Sequence, residues 1–298
     1  MVLRVGAPPL NVGNILTFSL QVYRWHFWRY LWLSLQAHAW VLVPVYGWAK
    51  YSAMMGALSR LVVQQLRGVM ETPAQAITIA DQKKWGLLGA GILYALASAL
   101  LLLVLGGVGL LLTVPLALWG EDQGAWENPW IVLGFALWVL VVAVGVLVAW
   151  TWLVFRWLLY PLPLVMEAGV GWLRSLPRSW QLTQGSVVKI QLVTLIGGLL
   201  LLPFQFPVQM VMNMVQMILL FFATLIGTII MIILGAIVDE PAVAGVAFFV
   251  PMVFAFLIPS LLVGAMFAPY WQAVLATLYH ESQCQREGWG LVLPSLDP

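Results

Sequence analysis

The sequence predicts an all-α protein, a polytopic bundle of transmembrane helices, and three observations carry that expectation. Of 298 residues, 63% are hydrophobic and only 8% are charged. Soluble domains carry about 25% charged residues, so the excess apolar surface has to face lipid. Gly86 to Gly120, Trp130 to Phe155, Ile190 to Val238 and Pro241 to Tyr279 are free of charge. A helix crosses the roughly 30 Å hydrocarbon core with about 20 apolar residues, and these runs are continuous, unlike the roughly ten-residue alternations of barrel strands. Many tryptophans stand near the expected ends: Trp25, Trp28, Trp48, Trp85, Trp119, Trp126, Trp130 and Trp157. Their amphipathic rings suit the membrane–water interface.

The elements follow in order within one membrane domain, 1–298. The start has no apolar core and is not read as a signal peptide. Residues 11–67 form an interfacial helix (Asn11 to Phe27) and a first hairpin of two spans, Trp28 to Val43 and Trp48 to Gln65, turned at Pro44 and Gly47. Ala53, Gly56 and Ala57 allow close helix packing in the second span. In the cytoplasmic segment 68–85, Glu71 to Lys84 is polar, with Thr72 as its cap and Pro73 in its first turn. Residues 86–155 form a second hairpin, with Gly106, Gly107 and Gly109 as kink points and an acidic loop, Glu121 to Asn128.

A cytoplasmic amphipathic segment, 156–189, precedes the C-terminal spans, 190–280, and a tail, 281–298. Pro203 and Pro207 are expected to break the long apolar run into Val187 to Phe206 and Val208 to Val238. Pro251, Pro259 and Pro269 interrupt the last run in the same way. Asp239-Glu240-Pro241 reads as a solvated acidic turn. About six crossings are expected, with seven or eight as alternatives.

Bases set the orientation. Arg24, Arg29, Arg60, Arg67, Lys83 and Lys84 flank the first hairpin, and Arg156, Arg174, Arg178 and Lys189 follow the fourth span. Lysine and arginine accumulate on the cytoplasmic side, so the chain is expected in the cell (inner or plasma) membrane with both termini cytoplasmic.

Composition narrows the chemistry. The net charge of +2 and scattered bases exclude nucleic acid as a partner. The single Cys284 allows no intrachain disulfide, and His26, His38 and His280 have no zinc-like spacing. No metal or other cofactor is expected, and no catalytic set: phosphate loop, nucleophile elbow and paired carboxylates are all missing.

Two groups of side chains remain as candidate sites. Glu167, Arg174, Arg178 and Lys189 form a lipid- or partner-binding group. An amphipathic helix with bases at phosphate level attracts anionic headgroups, though topological anchoring explains the bases as well. Glu167 is expected to pair with Arg174 or Arg156. Gln209, Asn213 and Gln216, following Gln205, share one helical face and either line a polar cavity or join helices by hydrogen bonds.

Residues 161–167 read Pro-Leu-Pro-Leu-Val-Met-Glu, and residues 172–185 contain Ser179-Trp180-Gln-Leu182-Thr183-Gln-Gly185. These stretches resemble the membrane domain of bacterial glycerophosphoryl diester phosphodiesterases and its stand-alone relatives. Asn11 to Leu16 resembles that family's opening helix, and Leu278 to Gly288 its tail. The tail departs from the pattern at Glu281, where aspartate is usual, and at Gln283, where arginine is usual. The resemblance implies six spans with both ends cytoplasmic. It does not imply phosphodiesterase activity, which in those enzymes belongs to a separate soluble barrel; none is read in this sequence. The reading is a non-enzymatic module of the lipid bilayer that binds anionic lipid headgroups or another membrane protein. A permease for a small or lipidic molecule and a membrane enzyme acting on lipid headgroups are the alternatives.

Overall fold

The computed structural model describes residues 11–237 and 241–287, and every regular element among them is helical. Helices α1 (Val12–Trp25) and α2 (Phe27–Trp40) are separated only by His26, whose φ of −109° and ψ of 23° leave the helical region. Helix α3 is Tyr46–Leu66. The expected turn at Pro44 forms before it, and Gly47 lies so close to α2 that an added Cβ would stand 1.9 Å from the Trp40 carbonyl oxygen. The positive φ falls on Val45, at 62°, a strained conformation for a β-branched residue.

Helix α4 (Pro73–Gln82) starts as expected. The Gln75 N–H donates to Thr72 Oγ1 at 3.3 Å, and the Thr72 N–H donates to Gln75 Oε1 at 3.0 Å. This reciprocal cap satisfies two otherwise orphaned donors. Helix α5 (Lys84–Asp122) runs on through all three central glycines. A single 3₁₀ turn, Ala125–Glu127, leads to α6 (Pro129–Trp157), where the Asn128 side chain accepts the Trp130 N–H at 3.0 Å. Then come α7 (Pro161–Met166), α8 (Trp172–Thr183), α9 (Val187–Ile237) and α10 (Pro241–Glu287).

The expected proline breaks do not occur. Helix α9 passes through Pro203 and Pro207, and α10 through Pro251, Pro259 and Pro269. A proline costs a helix interior about 3 kcal/mol, but in apolar surroundings neighbouring groups can satisfy the backbone it frees. The Tyr23 hydroxyl donates to the Met266 carbonyl at 2.5 Å, in the turn before Pro269; the carbonyl that Pro269 itself frees is that of Ala265. The acidic turn at Asp239-Glu240 and the tail beyond 287 lie outside the described residues.

Four helical stretches among the described residues are long and apolar enough to cross a membrane: Lys84–Asp122, Pro129–Met166, Val187–Ile237 and Phe248–Arg286. The expected count of about six is not confirmed: Trp28 to Val43 and Trp48 to Gln65 form α2 and α3, which are not among these four. Charge explains the case of α3. Its Lys50 pairs with Asp81 of α4 (2.7 Å) and its Arg60 with Glu71 just before α4 (2.9 Å), so a polar helix lies along it.

These elements make one base and two projections. The base core includes Leu58, Leu66, Leu159, Leu162, Leu182, Ile190, Tyr270 and Tyr279, from α3, α7 and the connection into it, α8, α9 and α10. Hairpins α5–α6 and α9–α10 rise from it. Leu103, Leu111 and Val141 on the first, and Phe204, Met217 and Phe221 on the second, are mostly exposed. At Gly227 the second hairpin packs so tightly that a Cβ would come within 2.7 Å of the Phe248 carbonyl oxygen.

Candidate functional site

The base brings the expected acid and its bases together, with different pairings. Glu167 ends α7 in an extended conformation, and Gly169, at φ +80°, turns the chain back into α8. This return places Arg178 beside the carboxylate, its Nε 2.9 Å from Oε2 and 3.2 Å from Oε1. The Tyr279 hydroxyl donates to Oε1 at 3.0 Å, and Gln283 Nε2 donates to it at 3.4 Å. Gln283 also donates to the Tyr279 oxygen (2.8 Å) and accepts from Arg67 (2.7 Å). The expected partners Arg174 and Arg156 are therefore replaced by Arg178. A helical spacing of seven does not apply across a chain that leaves the helix at 167 and starts another at 172.

The Lys83 ammonium caps the same turn, donating to the Leu164 carbonyl (2.5 Å) and the Glu167 carbonyl (3.2 Å). Desolvation, and secondarily Arg60, hold its pKa below the ordinary lysine value. Lys189 pairs with buried Glu281, which also accepts from Gln285 at 2.9 Å. Of the three bases proposed to face lipid, Arg178 and Lys189 thus turn inward, and Arg174 lies on the exposed face of α8. Arg67, Tyr279 and Gln283 were not singled out as site residues. Their signal was polar side chains one turn apart, at 279 and 283, following a long charge-free run.

Arg156 anchors α8. Its guanidinium lies 4.2 Å from the Trp152 ring centroid and 4.4 Å from that of Trp180. Its carbonyl accepts from Ser179 (2.9 Å) and Thr183 (3.1 Å). Ser179, Leu182 and Thr183 are buried, and Gly185 takes the φ of +77° needed to turn into α9.

The amide group lies on the second hairpin, away from this cluster. Gln209 Nε2 donates to Asn213 Oδ1 at 2.8 Å; Asn213 is exposed, and Gln209 and Gln216 are half-buried. His38 Nδ1 stands 2.8 Å from the Ser34 carbonyl, against the edge of Tyr51, and burial lowers its pKa. His280 is buried, with Cys284 Sγ 3.8 Å from Nε2. No group of three or more His, Cys, Asp or Glu side chains suited to a metal occurs among the described residues.

A cleft of about 620 Å³ opens where the α1–α2 junction meets the end of α3 and the loop into α4. Trp25, His26, Arg29, Tyr30, Gln65 and Glu71 are among its lining residues. The His26 ring stacks on Tyr30, with centroids 5.5 Å apart and an interplanar angle of 21°. The Tyr30 hydroxyl donates to Gln65 Oε1 at 3.3 Å. Burial pushes that hydroxyl up to about 12, with nearby Arg29 pulling the other way, so at neutral pH it remains a neutral donor. Glu71 is already neutralised by Arg60. His26 Nδ1 is buried and has no hydrogen-bond partner among the described residues.

No family model, curated protein or solved structure matches this chain.

Proposed function

We propose that this chain is an integral-membrane module whose polar base sits at one membrane face and binds lipid, with a membrane protein as the alternative partner. The observation that carries the reading is a pair of exposed apolar hairpins rising from one ion-paired base. The first hairpin matches a bilayer in length. Trp150 Nε1 donates to the Ser98 carbonyl at 3.0 Å, marking one level, and exposed Trp119 and Trp130 mark the other. The roughly 20 residues between Trp130 and Trp150 rise about 30 Å, the thickness of the hydrocarbon core.

The base carries Arg60, Arg67, Lys83, Arg174, Arg178 and Lys189, whereas the far loop carries Glu121, Asp122 and Glu127. By the positive-inside rule the base is cytoplasmic, and the protein belongs to the cell membrane. Four crossings, rather than six, follow from the pairing of α3 with α4. The resemblance to the phosphodiesterase-associated membrane domain supports the membrane-module reading, though not this count of crossings, through its docked helix: Ser179, Trp180 and Thr183 hold α8 against α6, and Gly185 turns it into α9.

Two measurements test this. In a Cys284→Ser background, single cysteines at 123 and 186 should label from opposite sides of the membrane; labelling from the same side refutes the orientation. Protein purified in mild detergent and passed through native mass spectrometry should retain phospholipid. A monodisperse, folded protein stripped of all lipid by that treatment would count against a lipid-binding module.

A further inference from the structure

A cleft opens onto the base at the α1–α2 junction, and neither the Glu167 cluster nor the docking of α8 uses it. Its lining combines one exposed guanidinium, Arg29, with the imidazole of His26. The one carboxylate in its wall, Glu71, is held by Arg60 from behind. The local balance is therefore positive. The His26 imidazole is part of the cleft wall, and its Nδ1 is enclosed and without a partner among the described residues.

The mouth has a different character. Trp25 is 47% exposed and Met70 102%. Trp28 and Trp32 continue an exposed aromatic face along α2, at 79% and 64%. An exposed cation set beside an exposed apolar and aromatic surface suits an amphiphile. The size agrees, since small-molecule pockets run from about 300 to 1,000 Å³.

We propose that this cleft binds the phosphodiester group of a glycerophospholipid, with Arg29 and His26 taking the phosphate oxygens and Trp25 and Met70 meeting the glycerol and acyl chains. Guanidinium matches the phosphate fork in charge and geometry. Gln65 and Tyr30, already bonded to each other, close the inner wall and set the depth of the headgroup. This assignment rests on the reading of the chain as a lipid-binding membrane module and names the site and the ligand class.

The test uses the full-length protein in detergent, titrated with dioleoylphosphatidylglycerol and read by native mass spectrometry. Dioleoylglycerol, which lacks the phosphate, and free sn-glycerol 3-phosphate serve as the other arms. Arg29→Gln and His26→Gln should each weaken phosphatidylglycerol binding about tenfold, the loss of one charge-assisted hydrogen bond. Arg29→Lys should recover part of that loss. Arg24→Gln, an exposed base that does not line the cleft, should bind like wild type. Melting temperatures of the variants confirm that each remains folded.

Binding of glycerol 3-phosphate that also depends on Arg29 supports the site and assigns its ligand to the free phosphoester. Wild-type binding that survives both Arg29→Gln and His26→Gln overturns the cleft while leaving a lipid-binding module intact. Equal binding of phosphatidylglycerol and dioleoylglycerol by wild type overturns the phosphate assignment. Failure of wild type to hold any lipid removes the broader reading as well.

Discussion

Glu167 accepts from an arginine, a tyrosine and a glutamine contributed by α8 and α10, and its own backbone carbonyl is held by Lys83. A carboxylate so placed joins three elements. The side chains of Glu167 and Arg178 are 20% and 28% exposed, so the pair is neither a freely solvated surface contact nor a fully buried one. Hydrogen bonds to charged groups are worth roughly 1.5–3 kcal/mol. Glu167→Gln should therefore lower stability by about 1–3 kcal/mol, read as a lower melting temperature in detergent. Arg178→Gln should have a similar effect, and the double variant should cost less than the sum of the two, because both remove one interaction. Additive losses would show that the two residues act separately. Arg174→Glu, on the exposed face, should leave the melting temperature unchanged.

At the scale of the element, α8 is the piece whose sequence and geometry agree most closely. Its two buried hydroxyls, Ser179 and Thr183, converge on the Arg156 carbonyl at the end of α6, and the Trp180 ring covers the Arg156 guanidinium. Thr183→Val keeps the shape and removes the hydroxyl, which should cost about 1 kcal/mol; Trp180→Ala removes a cation–π contact worth about 0.5–2 kcal/mol. Both changes should speed limited proteolysis within 167–186, and a cleavage rate equal to wild type for both would mean that α8 is held by other contacts. The hairpin α5–α6 was legible because its apolar runs are continuous and its ends carry local signals: Asn128 caps α6, and the capping pair Thr72–Gln75 sets the preceding helix. The role of α3 was not legible, since no local rule shows that the polar segment 71–84 folds back along it and pairs with its Lys50 and Arg60. The proline breaks were misjudged for a related reason. A local rule counts each hydrogen bond a proline removes and cannot see how the apolar surroundings of a long helix keep it continuous. The cleft has no sequence signature, because its walls come from the separate segments 25–30, 61–65 and 68–72.

For the whole molecule, the lengths of the two hairpins conflict in a single flat bilayer. The first fits about 30 Å between its tryptophans. Exposed apolar side chains on α9 run from Leu192 to Ile237, a rise of about 68 Å at ~1.5 Å per residue, more than twice the hydrocarbon thickness. Tilting a straight rod of that length into the core requires roughly 60°, beyond the 0–40° range of membrane helices. A bend relieves the mismatch, and Pro203 and Pro207 are where α9 lacks backbone donors, with Pro269 in the part of α10 that packs near Gly197 through its neighbours Tyr270 and Trp271. A bend there leaves 208–237 as a segment of about 44 Å, which lowers the required tilt to roughly 45°, just past the upper end of that range. Spin labels at 195 and 232, both exposed positions, in a Cys284→Ser background measure the bend. A straight helix sets their separation near 55 Å. In lipid nanodiscs a bend near 45° should shorten the distance by about 3–4 Å, and Pro203→Ala with Pro207→Ala should return it to the straight-helix value. A wild-type distance that stays near 55 Å in lipid would refute the bend. The distal half of the hairpin would then stand beyond the far membrane face, where its apolar surface requires a cover other than lipid.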